Sequence, residues 1–111
     1  MSLFGDYILE REGKQIIEDE KGFITYIIEG DGSCFISDMY IIPEERHRGY
    51  GKILMDKVGI IAKKYDCICL TTTVCPTTEG STHALKSALN YGFRLVNNID
   101  DLIIIQKSLE K

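Results

Sequence analysis

No stretch of this chain approaches the ~20 consecutive apolar residues that a membrane-spanning helix needs, so no membrane partner is expected. The start shows no charged-then-apolar leader pattern. Positive charge is also scarce. Thirteen Lys and Arg against seventeen Asp and Glu leave a net charge of −4, which argues against a general nucleic-acid binder. The four cysteines, Cys34, Cys67, Cys69 and Cys75, form no C-x-x-C pair and have no matching Cys/His spacing, so no metal site is expected. Cys67 and Cys69 would face one side of a strand. All four read as buried reduced thiols of a cytoplasmic protein, with Cys75, before Pro76, as the candidate for a partly exposed reactive thiol. Repeats, low-complexity tracts and linkers are missing too. What remains is an ordinary globular composition, 44% apolar and 27% charged over 111 residues, enough for a single domain at 1–111 with one core.

The first third reads as a β-meander. Tyr7 to Glu10, Gln15 to Asp19, Phe23 to Glu29 and Cys34 to Ile42 are strand candidates, separated by the turn-like Glu12-Gly13-Lys14, Glu20-Lys21-Gly22 and Gly30-Asp31-Gly32-Ser33. After Pro43 the period changes. Leu54, Val58, Ile61 and Tyr65 recur at helical spacing, widened by Ile53 and Ala62, which predicts a helix over 50–65. Cys67 to Val74 is strongly β-prone, so strands 34–42 and 67–74 are expected to be parallel neighbours across a βαβ unit. Pro76 to Gly80 reads as a loop. Ser81 to Tyr91 reads as a second helix with Ala84, Leu85, Ala88 and Leu89 as its apolar side, capped by a left-handed Gly92. Phe93 to Val96 and Leu102 to Gln106 close the chain as a hairpin. The fold class is α+β: a mixed, mostly antiparallel sheet of six to seven strands with two helices.

One segment carries chemistry. Ile41-Ile42-Pro43-Glu44-Glu45-Arg46-His47-Arg48-Gly49-Tyr50-Gly51-Lys52 reads as a strand end, a turn and a glycine-rich helix start. A helix N-terminus presents unpaired N–H groups and the positive end of a dipole. Glycines let an anion come close to that backbone, and two arginines and a lysine add charge. A phosphate or pyrophosphate site is implied. A Walker A loop would need glycine where Arg46 stands and Ser or Thr where Ile53 stands. A dinucleotide fingerprint would need a third glycine where Leu54 stands, and an acidic residue about 20 residues on. Both fail.

The surviving pattern, Arg46-x-x-Gly49-x-Gly51 between a strand and a helix, resembles the acyl-CoA pyrophosphate loop of the GNAT superfamily of N-acetyltransferases. The preceding hydrophobic-x-Pro-Glu, the following amphipathic helix, the next β-rich strand and the later Tyr91-Gly92-Phe93 occur in that family's order. The likeness covers residues 34 to 107 well and the first 33 loosely. It implies the acyl-CoA N-acyltransferase fold with a truncated N-terminal region. It also implies acetyl-CoA as cofactor and transfer of an acetyl group to a primary amine on a small molecule or peptide.

By that resemblance, backbone groups of Met39, Tyr40, Ile41 and Ile42 would hold the pantetheine arm. The N–H groups of His47, Arg48, Gly49, Tyr50, Gly51 and Lys52 would hold the pyrophosphate. Arg46 would sit near the phosphates or brace the loop, and Ser81 takes the place of an asparagine near the second helix start. Asp38, the only carboxylate between Cys34 and Ile42, is the candidate base, and an N–H near Met39 or Tyr40 would take the oxyanion. The chain also departs from the family. The tyrosine that usually protonates the thiolate is replaced by Ala88. Tyr91 offers a phenol on the same helix, though its position before Gly92-Phe93 suits packing. His83, in that helix's first turn, would contact cofactor or acceptor, or only solvent. The helices that normally shape the acceptor pocket are not legible before Ile42, which implies an open acceptor site suited to a large substrate such as a protein terminus or lysine, or a homodimer that completes it. A non-catalytic acyl-CoA-binding module is the alternative function.

Overall fold

A computed structural model describes residues 2–77 and 81–109, the side chains of Ser81 and His83 excepted. Its first element corrects the sequence reading. Tyr7 to Glu10 is not a strand but part of helix α1, Leu3–Glu12. Ser2 caps it, its Oγ accepting from the Gly5 N–H at 2.8 Å, and Gly13 ends it in a left-handed conformation at φ 69°. The helix was hidden because its apolar residues fall on all sides. Gly5 and Ile8 are buried, while Leu3, Phe4, Tyr7 and Leu9 remain exposed, so no 3.6-residue stripe shows. A Cβ on Gly5 would stand 2.9 Å from Ile16 Cγ2, so glycine lets α1 lie close on the first strand.

Among the described residues the sheet has six strands in the order β1-β2-β3-β4-β6-β5. These are β1 Gln15–Asp19, β2 Gly22–Ile28, β3 Ser33–Ile41, β4 Cys69–Val74, β5 Arg94–Ile99 and β6 Leu102–Ser108. Short turns make the outer pairs antiparallel, and the one parallel step joins β3 to β4, as the βαβ pattern predicts. That step is brief: Ser33, Cys34 and Phe35 pair with Cys69, Leu70 and Thr71, and beyond them the strands diverge. β3 also carries a bulge. Thr25 opposes Asp38 and Tyr26 opposes Ile36, so Ser37 is the extra residue.

Helix α2, Tyr50–Lys64, crosses from β3 to β4 and buries Leu54, Val58 and Ala62 completely. They meet Ile24, Tyr26, Cys34, Ile36, Leu70 and Ile105 from one face of the sheet. Each fully buried Leu, Ile or Val contributes about 1.5–3 kcal/mol. Two expected core positions lie outside it: Ile53 faces solvent, and Tyr65 has become the helix C-cap. Helix α3, Ser81–Tyr91, packs through Leu85, Ala88 and Tyr91, while Ala84 and Leu89 are exposed. Among the described residues three helices are therefore present, not two, besides a 3-10 turn at Pro43–Glu45. α3 ends as expected: Gly92 has φ 124°, its N–H donates to the Leu89 carbonyl, and the Phe93 N–H donates to that of Ala88. The loop at Pro76 to Gly80 lies partly outside the described residues. No described helix is long and apolar enough to cross a membrane.

One glycine fixes the spacing between β2 and β3. A Cβ on Gly22 would lie 2.3 Å from the Tyr40 carbonyl oxygen and 3.0 Å from Ile41 Cα. Backbone cannot move as a side-chain tip can. Gly22→Ala should destabilise the fold by about 1–3 kcal/mol, the usual cost of overpacking. A urea titration checks it; an unchanged midpoint would show that the strands separate freely.

Candidate functional site

The divergence of β3 and β4 opens a cleft of about 1770 Å³ between the sheet, α2 and α3. The last tie before it opens is Thr72, whose Oγ1 donates to the Ile36 carbonyl at 2.8 Å. The bulge lies at the mouth. Buried Thr25 accepts the Asp38 N–H on its Oγ1 at 3.0 Å, which fixes the backbone where β3 departs from regular pairing. The Asp38 side chain is 65% exposed, and its carboxylate accepts from Ser37 Oγ at 3.2 Å. Lys14 Nζ stands 3.8 Å from Asp38 but 2.6 Å from Glu12, so Glu12 is the closer partner of that cation.

Of the residues singled out in sequence, Asp38, Met39, Tyr40, Ile41, Arg46, His47, Gly49, Tyr50, Gly51 and Lys52 all line this cleft. Ile42 and Arg48 lie off its wall, and the Ile42 N–H donates to the Lys21 carbonyl. The side chain of Ser81 lies outside the described residues, as does that of His83. Gly49 is the N-cap of α2 at φ 83°, with no side-chain cap, and a Cβ there would meet nothing within 4 Å. Tyr50, Gly51 and Lys52 form the first turn, whose N–H groups have no partner within the helix. His47 also has positive φ, 64°, so the loop turns through two left-handed corners. A Cβ on Gly51 would touch Met39 Cε at 3.4 Å and Ile41 Cδ1 at 3.5 Å, ordinary contact.

Two side chains brace this loop. Arg46 Nε donates to the Ile41 carbonyl at 2.8 Å while its guanidinium lies 5.5 Å from the Tyr40 ring centre. The Tyr50 hydroxyl donates to Asp19, which also accepts the Lys21 and Gly22 N–H groups, so the helix start is tied to the β1–β2 turn. The cleft walls carry Arg46, Lys52, Lys63 and Lys107 against Asp38 and Asp56. A surplus of two positive charges in a chain of net −4 makes the cleft a local anion attractor.

At the far wall the Tyr91 hydroxyl donates to Asp56. Lys52 and Lys107 lie 6.0 and 5.2 Å from the Tyr91 ring centre, and Lys52 pairs with Asp56 at 3.1 Å. Burial, and then the bond to Asp56, push the Tyr91 phenol up, while that bond and Lys52 pull Asp56 down. A raised phenol holds its proton more tightly in the folded state. Its contribution is therefore complete below about pH 10 and fades as the pH rises further. Asp56 contributes above about pH 4 and loses this as the pH falls. Tyr91→Phe should lower neutral-pH stability by about 0.5–1 kcal/mol, discounted for the half-exposed Asp56. It should also flatten the decline in melting temperature above about pH 10. An identical alkaline profile would place that titration elsewhere.

Sequence patterns did not single out Thr25, Thr72, Asp19 or Asp56. Thr25 alone left a trace, as the one aliphatic hydroxyl inside the apolar run Phe23-Ile24-Thr25-Tyr26-Ile27-Ile28. The thiols are ordinary: no disulfide joins them, Cys34 and Cys67 are buried, and Cys69 and Cys75 are half-buried. Burial pushes the Cys34 thiol up to about 12.

A profile of the acetyltransferase (GNAT) domain matches residues 5–95. The chain belongs to the GNAT family. Among GNAT structures, the PaiA N-acetyltransferase of Thermoplasma acidophilum, solved in complex with coenzyme A, superposes with a TM-score of 0.71 at 22% identity, over 79% of this chain and 53% of its own. A GNAT acetyltransferase of Staphylococcus aureus Mu50 gives 0.75 at 20% identity, over 95% and 75%. Ard1 of Thermoplasma volcanium gives 0.68 at 16%, over 82% and 64%. At such identities the likeness is one of fold. This GNAT chain spans about half to three quarters of the length of these structures. No curated protein matches it.

Proposed function

We propose that this GNAT chain is an acetyl-CoA-dependent N-acetyltransferase acting on a primary amine. One observation carries the reading: the left-handed Gly49 corner leaves open space above the first turn of α2, at a cation-lined cleft where two parallel strands part. A pyrophosphate fits that cradle, since the first-turn N–H groups and the helix dipole both favour an anion. The coenzyme A complex of the PaiA relative supports the same cofactor.

Bound acetyl-CoA would supply an activated thioester, whose acetyl group would pass to the amine nitrogen as the carbon–sulfur bond breaks, the leaving thiolate taking its proton from solvent. The chain's own residues do the rest. The N–H groups of Tyr50, Gly51 and Lys52 hold the phosphates, and Arg46 keeps the loop fastened to β3. Backbone from Met39 to Ile41, unpaired by β4, aligns the pantetheine arm. Asp38, carried on the bulge that Thr25 pins, accepts the ammonium proton directly or through water. Free thiols are compatible with a reducing, cytoplasmic setting.

Free thiol released from acetyl-CoA in the presence of peptides, polyamines, amino sugars and simple amines tests this. Steady release with any acceptor is the expected outcome, and silence across the panel would count against transfer. A second reading has its own support. Ala88 packs into the core where a general-acid tyrosine is usual, which suits a CoA-binding module without turnover. Thermal stabilisation by coenzyme A with no acceptor-dependent release would favour it.

A further inference from the structure

We infer that the acceptor is a small ring-bearing primary amine, its ring laid against an aromatic row and its ammonium met by Asp38. The inference rests on the transferase reading, but its observations are separate from the phosphate loop. Phe4 of α1, Phe23 of β2 and Tyr40 of β3 stand in one row, with ring centres 5.7 and 6.0 Å apart. Phe23 and Tyr40 are directly opposed partners in the antiparallel pair, so they share the sheet face that α1 covers. The row reaches the edge of β3 where β4 no longer pairs. Phe4 remains 48% and Tyr40 45% exposed, so much of this aromatic surface stays in water, where a ring could cover it.

Charge selects what covers it. Arg46 closes one end of the row over Tyr40, its Nε committed to the Ile41 carbonyl. Asp38 is two residues before Tyr40 on the same strand, hence on the same face and about 6–7 Å along it. Its nearest cation, Lys14, lies closer to Glu12, which leaves the Asp38 carboxylate able to take a second one. An apolar wall and a carboxylate at that spacing fit a flat ring joined to an ammonium by a spacer of about two or three atoms. A sugar amine offers a puckered C–H face in place of a flat π face, and an alkylamine offers no ring to stack.

The test uses phenethylamine, hexylamine, glucosamine and a peptide with N-terminal phenylalanine. Direct binding is read by saturation-transfer NMR without cofactor, and kcat/KM by thiol release with saturating acetyl-CoA. Phenethylamine should receive the strongest saturation, on its ring protons, and exceed hexylamine about tenfold in kcat/KM, mostly through KM. Phe4→Leu should erase that preference, with coenzyme A affinity held within about twofold. Equal saturation of phenethylamine and hexylamine would overturn the inference, as would preference for the sugar or the peptide. Sedimentation showing a dimer that phenethylamine does not perturb would likewise overturn it, assigning the row to a second copy. The two readings fail separately. Lack of coenzyme A binding sinks the transferase reading, whereas lack of ring binding by NMR sinks the acceptor class whatever the transfer assay shows.

Discussion

Valine at position 49 should weaken coenzyme A binding at least about 100-fold and still leave a folded protein. Gly49 sits at φ 83°, where a side chain costs about 1–2 kcal/mol and a β-branched one is least tolerated. Its Cβ would meet no protein atom within 4 Å. The added side chain would therefore project into the space in front of the α2 N-terminus, where the phosphates are proposed to lie, and exclude them. The melting temperature should fall by roughly 5–10 °C from the backbone strain, while calorimetric titration shows the affinity loss. Gly51→Ala is the matched control: its methyl makes ordinary contact with Met39 and Ile41 and should keep binding within a few-fold. Equal losses in both variants would assign the effect to crowding of the helix start, not to the left-handed corner.

Asp38→Ala should lower acetyl transfer by about 10²–10⁴, the usual range for a general base, with coenzyme A affinity unchanged. The separation is expected because the backbone at this position is set by its N–H bond to Thr25, not by the carboxylate. Asp38→Asn should behave alike, since it keeps the shape and removes the proton acceptor. Full activity in both variants would remove Asp38 from proton transfer. A fall in coenzyme A affinity of similar size would make it part of the cofactor site instead.

The sheet, α2 and α3 were legible because each advertises its period or its cap. Leu54, Val58 and Ala62 mark one buried stripe, and Gly92 with Phe93 closes α3 through paired backbone bonds. α1 was not legible, because only Gly5 and Ile8 are buried and its exposed apolar residues mimic a strand. Its signals were Ser2 and Gly13, each read as something else or passed over. The loop from Arg46 to Lys52 was visible through its glycines, and its surroundings are long-range. No spacing rule links Tyr50 to Asp19, Tyr91 to Asp56, or Asp38 to Thr25. Those contacts exist only once strands and helices have been brought together.

The short parallel step has a mechanical consequence. Strands β1, β2 and β3 form one antiparallel blade, and β4, β6 and β5 another. Three opposed residue pairs, the Ile68 N–H on the Gly32 carbonyl, the Cys67 thiol on that of Ser33 and the Thr72 hydroxyl on that of Ile36 make the lateral seam. A seam so short is where transient opening should begin, because few backbone bonds must break for the blades to part. Helix α2 spans them like a strut. A molecule lying in the gap and gripping both blades would act as a removable strand, so occupancy should slow amide exchange along β3 and β4 together.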